Sequence, residues 1–229
     1  MLEQVLEYER GLFLLLNGSN YPFLDRFMWL YSGKAVWLPL VAFILFTLLY
    51  KKPWRESLLI LVAIAVVITL CDQFASHLCK PLFARFRPTH HPDFMDEVKT
   101  VFGYRGGRYG FMSSHAANAF GFAVFMVRLF RCRIFTLAVL LWATLTAYSR
   151  VYLGVHFISD VVAGALAGVV FGYGVYSFYA WVREKYFTGA NKWPAALYSV
   201  KEKQSLAWAI TATTLIVLAL NYPLASLLH

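Results

Sequence analysis

The sequence predicts an all-α protein, a polytopic membrane helix bundle of about six transmembrane helices with an N-terminal amphipathic helix. Three observations predict it. Of 229 residues, 60% are hydrophobic and only 14% are charged, where a soluble domain carries about 25% charged residues. The mean hydropathy is +0.58. Apolar runs near the roughly 20 residues that a span requires recur along the chain. This length leaves room for one membrane domain at 27–229 behind an N-terminal segment at 1–26. The motif-bearing core lies at 57–182, with an extra C-terminal span at 206–228.

The elements follow in order. Residues 2–17 alternate apolar Leu2, Val5, Leu6, Phe13 and Leu16 with Glu3, Glu7 and Arg10. Their apolar run is too short to span, so an interfacial amphipathic helix is expected, ended by Asn17-Gly18. Spans are expected at 27–50 with a kink at Pro39, then at 57–78, 116–130, 134–152, 157–182 and 206–227. The acidic start (Glu3, Glu7, Glu9) and the lack of a small-residue cleavage site argue against a cleavable signal peptide.

Lysine and arginine set the topology. Lys51, Lys52 and Arg55 share one turn, Arg128, Arg131 and Arg133 another, and Arg183, Lys185, Lys192, Lys201 and Lys203 a third. With six spans these alternate connections share one side, which the positive-inside rule makes cytoplasmic. The opposite side then holds the N-terminal segment and the 79–114 loop, which is itself basic and so breaks the rule. A functional use of those cations would explain the exception. The net charge of +9 is therefore topological, and a nucleic-acid partner is discounted. Cys71, Cys79 and Cys132 are odd in number and scattered, which suits neither a disulfide framework nor a zinc site.

Three segments carry candidate chemistry. His156 and Asp160 are four apart, which puts them on one helical face. Asp160 can fix the tautomer of His156 and free its other nitrogen to attack phosphorus. The same pair also reads as a polar pair at a helix start, with Asp160 near the positive dipole end. Arg150 closes the preceding span, where it either snorkels or meets an anion. Lys80 and Arg87 supply a point charge and a planar fork suited to phosphate oxygens, or an interfacial cluster that touches lipid headgroups. Arg85 between them has no firm role. Ser113, Ser114 and His115 precede a span, where hydroxyls and backbone N–H groups make an anion site or ordinary serine caps. Asn118 lies one turn further on. Asp72 and Gln73 are expected to face the bundle interior. Arg105 and Arg108, in the glycine-rich 103–110 stretch, read as headgroup contacts or solvated loop charges. His77, His90 and His91 match no usual ligand spacing, so no metal is expected.

With these residues laid out, the chain resembles the type 2 phosphatidic acid phosphatase family of integral membrane lipid phosphatases. The family pattern is Lys-x6-Arg-Pro, then Pro-Ser-Gly-His, then Ser-Arg-x5-His-x3-Asp. The first is complete at Lys80, Arg87 and Pro88, and the third at Ser149, Arg150, His156 and Asp160. The middle one departs, with Met112 for Pro and Ser114 for Gly, and glycine reaches positive φ where serine does not. The resemblance spans roughly 57–182 and implies hydrolysis without metal or cofactor. It implies that His156 forms a phosphohistidine, Asp160 orients it, and His115 protonates the leaving oxygen and then activates water. Lys80, Arg87, Arg150, Ser113 and the Ser114 amide would hold the phosphoryl oxygens. It further implies a bacterial cytoplasmic-membrane enzyme whose site faces outward onto a lipid phosphate in the bilayer. Lipid A phosphate and undecaprenyl pyrophosphate rank ahead of phosphatidylglycerol phosphate and phosphatidic acid. A non-hydrolytic lipid transporter or binding protein on the same scaffold, and a vanadate haloperoxidase, are the rival readings. The sequence does not indicate an oligomeric state.

Overall fold

A computed structural model describes the chain except Met1, Asn20, 188–193 and His229, and it describes side chains from residue 7 to residue 227. Lys192 of the third basic connection and the side chains of Glu3, Leu2, Val5 and Leu6 lie outside the described residues. Those that are described build helices joined by irregular segments, with one isolated antiparallel bridge between Phe86 and Tyr109.

Helix α1 (Leu2–Leu16) is followed by α2 (Pro22–Ser32), which opens on a proline in its first turn. The first apolar run does not kink at Pro39. It breaks at Gly33-Lys34, and α2 meets the following helical segment at 68°. Pro39 instead sits in the first turn of α3 (Leu38–Leu49), where its missing N–H has no intrahelical partner to lose. Helix α4 (Trp54–Gln73) continues through a π-helical stretch, Phe74–Cys79, into the one-turn α5 (Lys80–Phe83). This 30-residue element is longer than the span expected at 57–78 and carries Lys80 at its end. Helices α6 (Ser114–Phe130), α7 (Arg133–Tyr152) and α8 (Ile158–Tyr186) follow. The last apolar run divides into α9 (Val200–Ala219) and α10 (Asn221–Leu228), which bend 81° apart.

Three elements, Trp54–Phe83, α7 and α8, are long and apolar enough to cross a membrane alone, and five are if each bent pair is one span. The protein is thus an all-helical integral membrane protein. Helix α6 has 17 residues, about 26 Å at 1.5 Å per residue, so length alone does not make it a sixth span.

Helices α6 and α8 form the central seam. Gly164, Gly168 and Gly172 on α8 repeat every four residues and face the α6 backbone. A Cβ on them would lie 2.4 Å from Ser113 O, 2.3 Å from Ala117 O and 2.4 Å from Gly121 O. Small residues let helix backbones approach this closely in a membrane, where packing rather than water drives association. The seam places the start of α8 beside the start of α6, and both starts carry candidate site residues.

The basic turns gather at the other end. Lys52 donates to Glu202 at 2.8 Å, Arg183 pairs with Glu56, and Phe130 stacks edge-on against Tyr198 at 4.9 Å. The motif-bearing loops lie away from this end. There Asn17 Nδ2 donates to Tyr152 O and Lys99 O, and Lys99 reaches Asp25 at 3.3 Å. Helix α1 presents Tyr8, Leu12 and Leu15 outward, while Glu9 and Phe13 are buried beneath them. Glu9 therefore faces the bundle rather than water.

Candidate active site

The irregular stretch between α7 and α8 carries His156, which is buried. Its Nδ1 faces Asp160 Oδ2 at 3.5 Å, and its Nε2 lies 3.2 Å from Arg87 Nη1. A guanidinium has only donors, so Nε2 acts as the acceptor and Nδ1 carries the proton. The lone pair therefore points at the cations, with the carboxylate behind the ring. Asp160 is also the third residue of α8, and its Oδ2 reaches back to accept from the N–H of the N-cap Phe157 at 3.0 Å. The pair thus stands at a helix start with the carboxylate behind the ring.

Arg87 is fixed by the chain around it. Its Nε donates to Tyr109 O at 3.1 Å and its Nη1 to Val155 O at 3.0 Å. The glycine-rich stretch makes room for it. Gly106 has φ +69°, and a Cβ there would lie 2.9 Å from Arg87 Nη1. Gly110 is packed between Arg87 and Asp160 in the same way. The stretch thus seats an arginine rather than only reaching for a headgroup. Arg105 and Arg108 are exposed, and Arg108 lies over the rings of Phe86 and Tyr109.

Arg150 is buried at the end of α7. It donates to the Ser32 hydroxyl and to Tyr104 Oη at 3.1 Å. Lys80 Nζ donates to Ser76 Oγ at 3.1 Å, and Ser76 in turn reaches Asp72 Oδ1 at 3.5 Å. Asp72 thus supports the lysine from two turns away, through Ser76. Ser113 caps α6, accepting from Ala116 N at 3.4 Å, while its own N–H donates to Asp160 O at 3.0 Å. That bond ties the second motif to the third.

Two cavities adjoin here. One, of about 530 Å³, is lined by Ser32, Lys34, Tyr104, His115 and Arg150 among others. The second, of about 460 Å³, shares Ser32, Lys34 and His115, includes Ser114 and Asn118, and runs inward along Leu40, Ile44, Ile68 and Trp142. The first also has Trp29, Leu30, Val36 and Leu153 in its wall, so Arg150 and Lys34 stand in a largely apolar chamber that adjoins an apolar channel, with His115 on the wall of both and His156 on neither. Lys34 was not singled out by the sequence reading, nor were Tyr104 and Ser32. Lys34 lies in the α2–α3 break and has no ion pair among the described residues.

Burial is the largest influence on His156, followed by the charges of Arg87, Arg150 and Lys80, and together they hold it well below its ordinary 6.5. The neutral ring keeps its nucleophilic lone pair. The unfolded chain binds a proton at His156 near pH 6.5, whereas the folded chain does not. Below that pH the unfolded state therefore holds more protons. This contribution to stability is fully present above about pH 6.5 and is lost as the pH falls. Melting in detergent from pH 8 to pH 5 is expected to show a larger fall for wild type than for His156→Gln, and parallel falls would contradict this origin.

Among the described residues no group of three histidine, cysteine or acidic side chains is placed to hold a metal ion. The cysteines are free.

Comparisons with known proteins agree with this architecture. The chain is 46% identical over 200 residues to a lipid A 4'-phosphatase of Porphyromonas gingivalis, covering 86% of this chain and 84% of that one. It is 42% identical over 180 residues to a lipid A 4'-phosphatase of Bacteroides thetaiotaomicron, covering 78% and 79%. The fold is similar to the crystal structure of LpxE from Aquifex aeolicus, with a TM-score of 0.56 at 26% identity over 74% of this chain and 95% of that one. The pattern of the PAP2 superfamily matches residues 58–184, which hold all three motifs and the α6–α8 seam that joins them, and the chain belongs to that superfamily.

Proposed function

We propose that this phosphatase hydrolyses a lipid phosphate through a phosphohistidine on His156, and that phosphorylated lipid A is its first substrate. The observation that carries the reading is the His156 ring, whose Nε2 faces Arg87 while Nδ1 faces Asp160. The relatives named as lipid A 4'-phosphatases support the substrate. Nε2 attacks phosphorus as the bond to the lipid oxygen breaks. That oxygen keeps the electron pair and takes a proton from His115. Water then gives its proton to His115 and attacks the phosphohistidine, which releases phosphate and restores His156. Arg87, Arg150, Lys80, Ser113 and the Ser114 amide offset the charge on the equatorial oxygens, where in-line geometry and charge compensation do most of the work. Arg150 and Lys34 in the first chamber suit a charged headgroup, and the apolar channel an acyl or prenyl chain that remains in the bilayer. By the positive-inside rule the basic end is cytoplasmic and the site faces outward from a bacterial inner membrane. Helix α1 then lies at the outer interface, its Tyr8–Leu12–Leu15 face toward lipid, and six crossings include α6.

Undecaprenyl pyrophosphate is the second reading, favoured by Lys34. This lysine adds a cation on the His115 side, where a leaving phosphate would emerge. Lys34→Gln is expected to lower kcat/KM on a lipid diphosphate about tenfold, the loss of roughly one charge-assisted contact, and to change a lipid monophosphate less than threefold. Equal losses on both would remove this reading.

The test of the function is phosphate release by purified protein in detergent with EDTA. A lipid A bisphosphate, undecaprenyl pyrophosphate, phosphatidylglycerol phosphate and phosphatidic acid form the panel. Release from lipid A in EDTA is the expected result. Release from none by folded protein would shift the assignment to lipid binding or transport.

A further inference from the structure

Arg85, at an unspecified position of the first motif, and Glu9, outside all three, form a buried network behind the catalytic pair. Arg85 is 3% exposed and Asp160 0%. Arg85 Nη1 donates to Asp160 Oδ1 at 2.8 Å and to Ser159 Oγ at 2.6 Å. Its Nη2 donates to Glu9 Oε1 at 2.7 Å, and its guanidinium lies 4.4 Å from the centre of the Phe157 ring. Glu9, although on α1, reaches the start of α8. Its Oε2 accepts from Ser159 N at 2.8 Å and its Oε1 from Ser159 Oγ at 2.7 Å.

The two oxygens of Asp160 are thus divided. Oδ1 is held by Arg85, which leaves Oδ2 for Phe157 N and the His156 ring. One guanidinium serves two buried carboxylates, so it cannot give its full charge to Asp160. The carboxylate stays able to steady a proton on His156 Nδ1 as positive charge develops there. Without Glu9, Arg85 would be free to turn wholly onto Asp160. Without Arg85, two like charges would face each other out of water, and the aspartate would lose its fixed rotamer.

We infer that Arg85 and Glu9 are positioning residues for the hydrolysis, and that helix α1 is therefore part of the catalytic apparatus rather than only an interfacial anchor. This rests on His156 and Asp160 acting as proposed above.

The experiment measures kcat, KM and melting temperature for full-length Glu9→Gln, Arg85→Lys and Arg85→Met, each also combined with Asp160→Asn. Glu9→Gln is expected to lower kcat about tenfold and Arg85→Met about a hundredfold, the cost of a misaligned catalytic group, with KM within twofold. Arg85→Lys recovers part of the loss, because an ammonium keeps the charge but not the two-sided fork. In the Asp160→Asn background, Glu9→Gln should leave kcat unchanged while still lowering the melting temperature. A purely structural role would carry the same kcat loss into that background, and this outcome would overturn the inference, as would unchanged kcat in Glu9→Gln. Orthovanadate binding, read by calorimetry, needs no lipid. Affinity should fall from wild type to Glu9→Gln to Arg85→Met, and equal affinities would also overturn it. That order together with no phosphate release from any lipid would overturn the substrate assignment alone.

Discussion

His156→Ala is expected to lower phosphate release by about 10⁴-fold or more, the scale seen when a covalent nucleophile is removed, with the fold intact. His156 lies in the irregular stretch between two helices. Its loss leaves Asp160 still bonded to Arg85 and to Phe157 N. No buried charge is stranded, so the variant should elute and melt much as wild type does. A second readout separates attack from binding. Substrate carrying labelled phosphate, stopped with alkali, should leave acid-labile label on wild type and none on the variant. Turnover or label retained by His156→Ala would remove it as the nucleophile and turn attention to His115.

Gly168→Leu should be the most damaging change to the fold. A Cβ there falls 2.3 Å from the Ala117 carbonyl oxygen, and that neighbour is backbone that cannot swing aside. The helices must separate, or α8 must turn, and the dense packing of α6 against α8 is lost along its length. Overpacking of this kind costs on the order of 3 kcal/mol or more, about 6–12 °C in melting temperature for a chain of this size. Activity should fall further than stability, because the seam also sets the distance between His115 and His156. Gly174, which meets nothing within 4 Å, is the control on the same helix, and Gly174→Leu should be mild. Similar effects at both positions would show that helix propensity rather than close approach is at work.

The sequence disclosed the site more fully than the fold. His156, Asp160, Lys80, Arg87 and Arg150 stand at fixed spacings and carry residue types that need partners in an apolar chain. The structure places them together, and the charges of all three cations act on His156. The altered middle motif keeps Ser113 as a helix cap, and Ser114 is simply the first helical residue, with no positive φ demanded of it. Bends were less legible. Pro39 has the look of a helix breaker, yet the break lies at Gly33-Lys34, because proline in a first turn is no breaker, whereas Gly33, in extended backbone, ends α2. The bend before α10 did have a signal, since Asn221-Tyr222-Pro223 follows Leu220 directly, and the single span expected at 206–227 ran through it. Glu9 and Arg85 were the main omissions from the site. They are 76 positions apart, and no local spacing announces a contact made between distant helical elements. The Gly164, Gly168, Gly172 repeat was the signal available for the α6–α8 seam, since membrane helices that place glycine every fourth residue expose a flat stripe of backbone.

The bond from Glu9 to Ser159 joins positions 150 apart, and this fixes when the enzyme can begin to work. Glu9 on α1 is made 150 residues ahead of Ser159 on α8. At about 5–20 residues per second, roughly 8–30 s of synthesis separate the two. About halfway through that interval Lys80 and Arg87 are made, still without His156 and Asp160. On the mechanism proposed above, a half-made chain lacks the nucleophile, and the site is complete only when α1 has docked on the start of α8. An amino-terminal fusion therefore joins the protein at the element whose docking completes that assembly, whereas a carboxyl-terminal one does not.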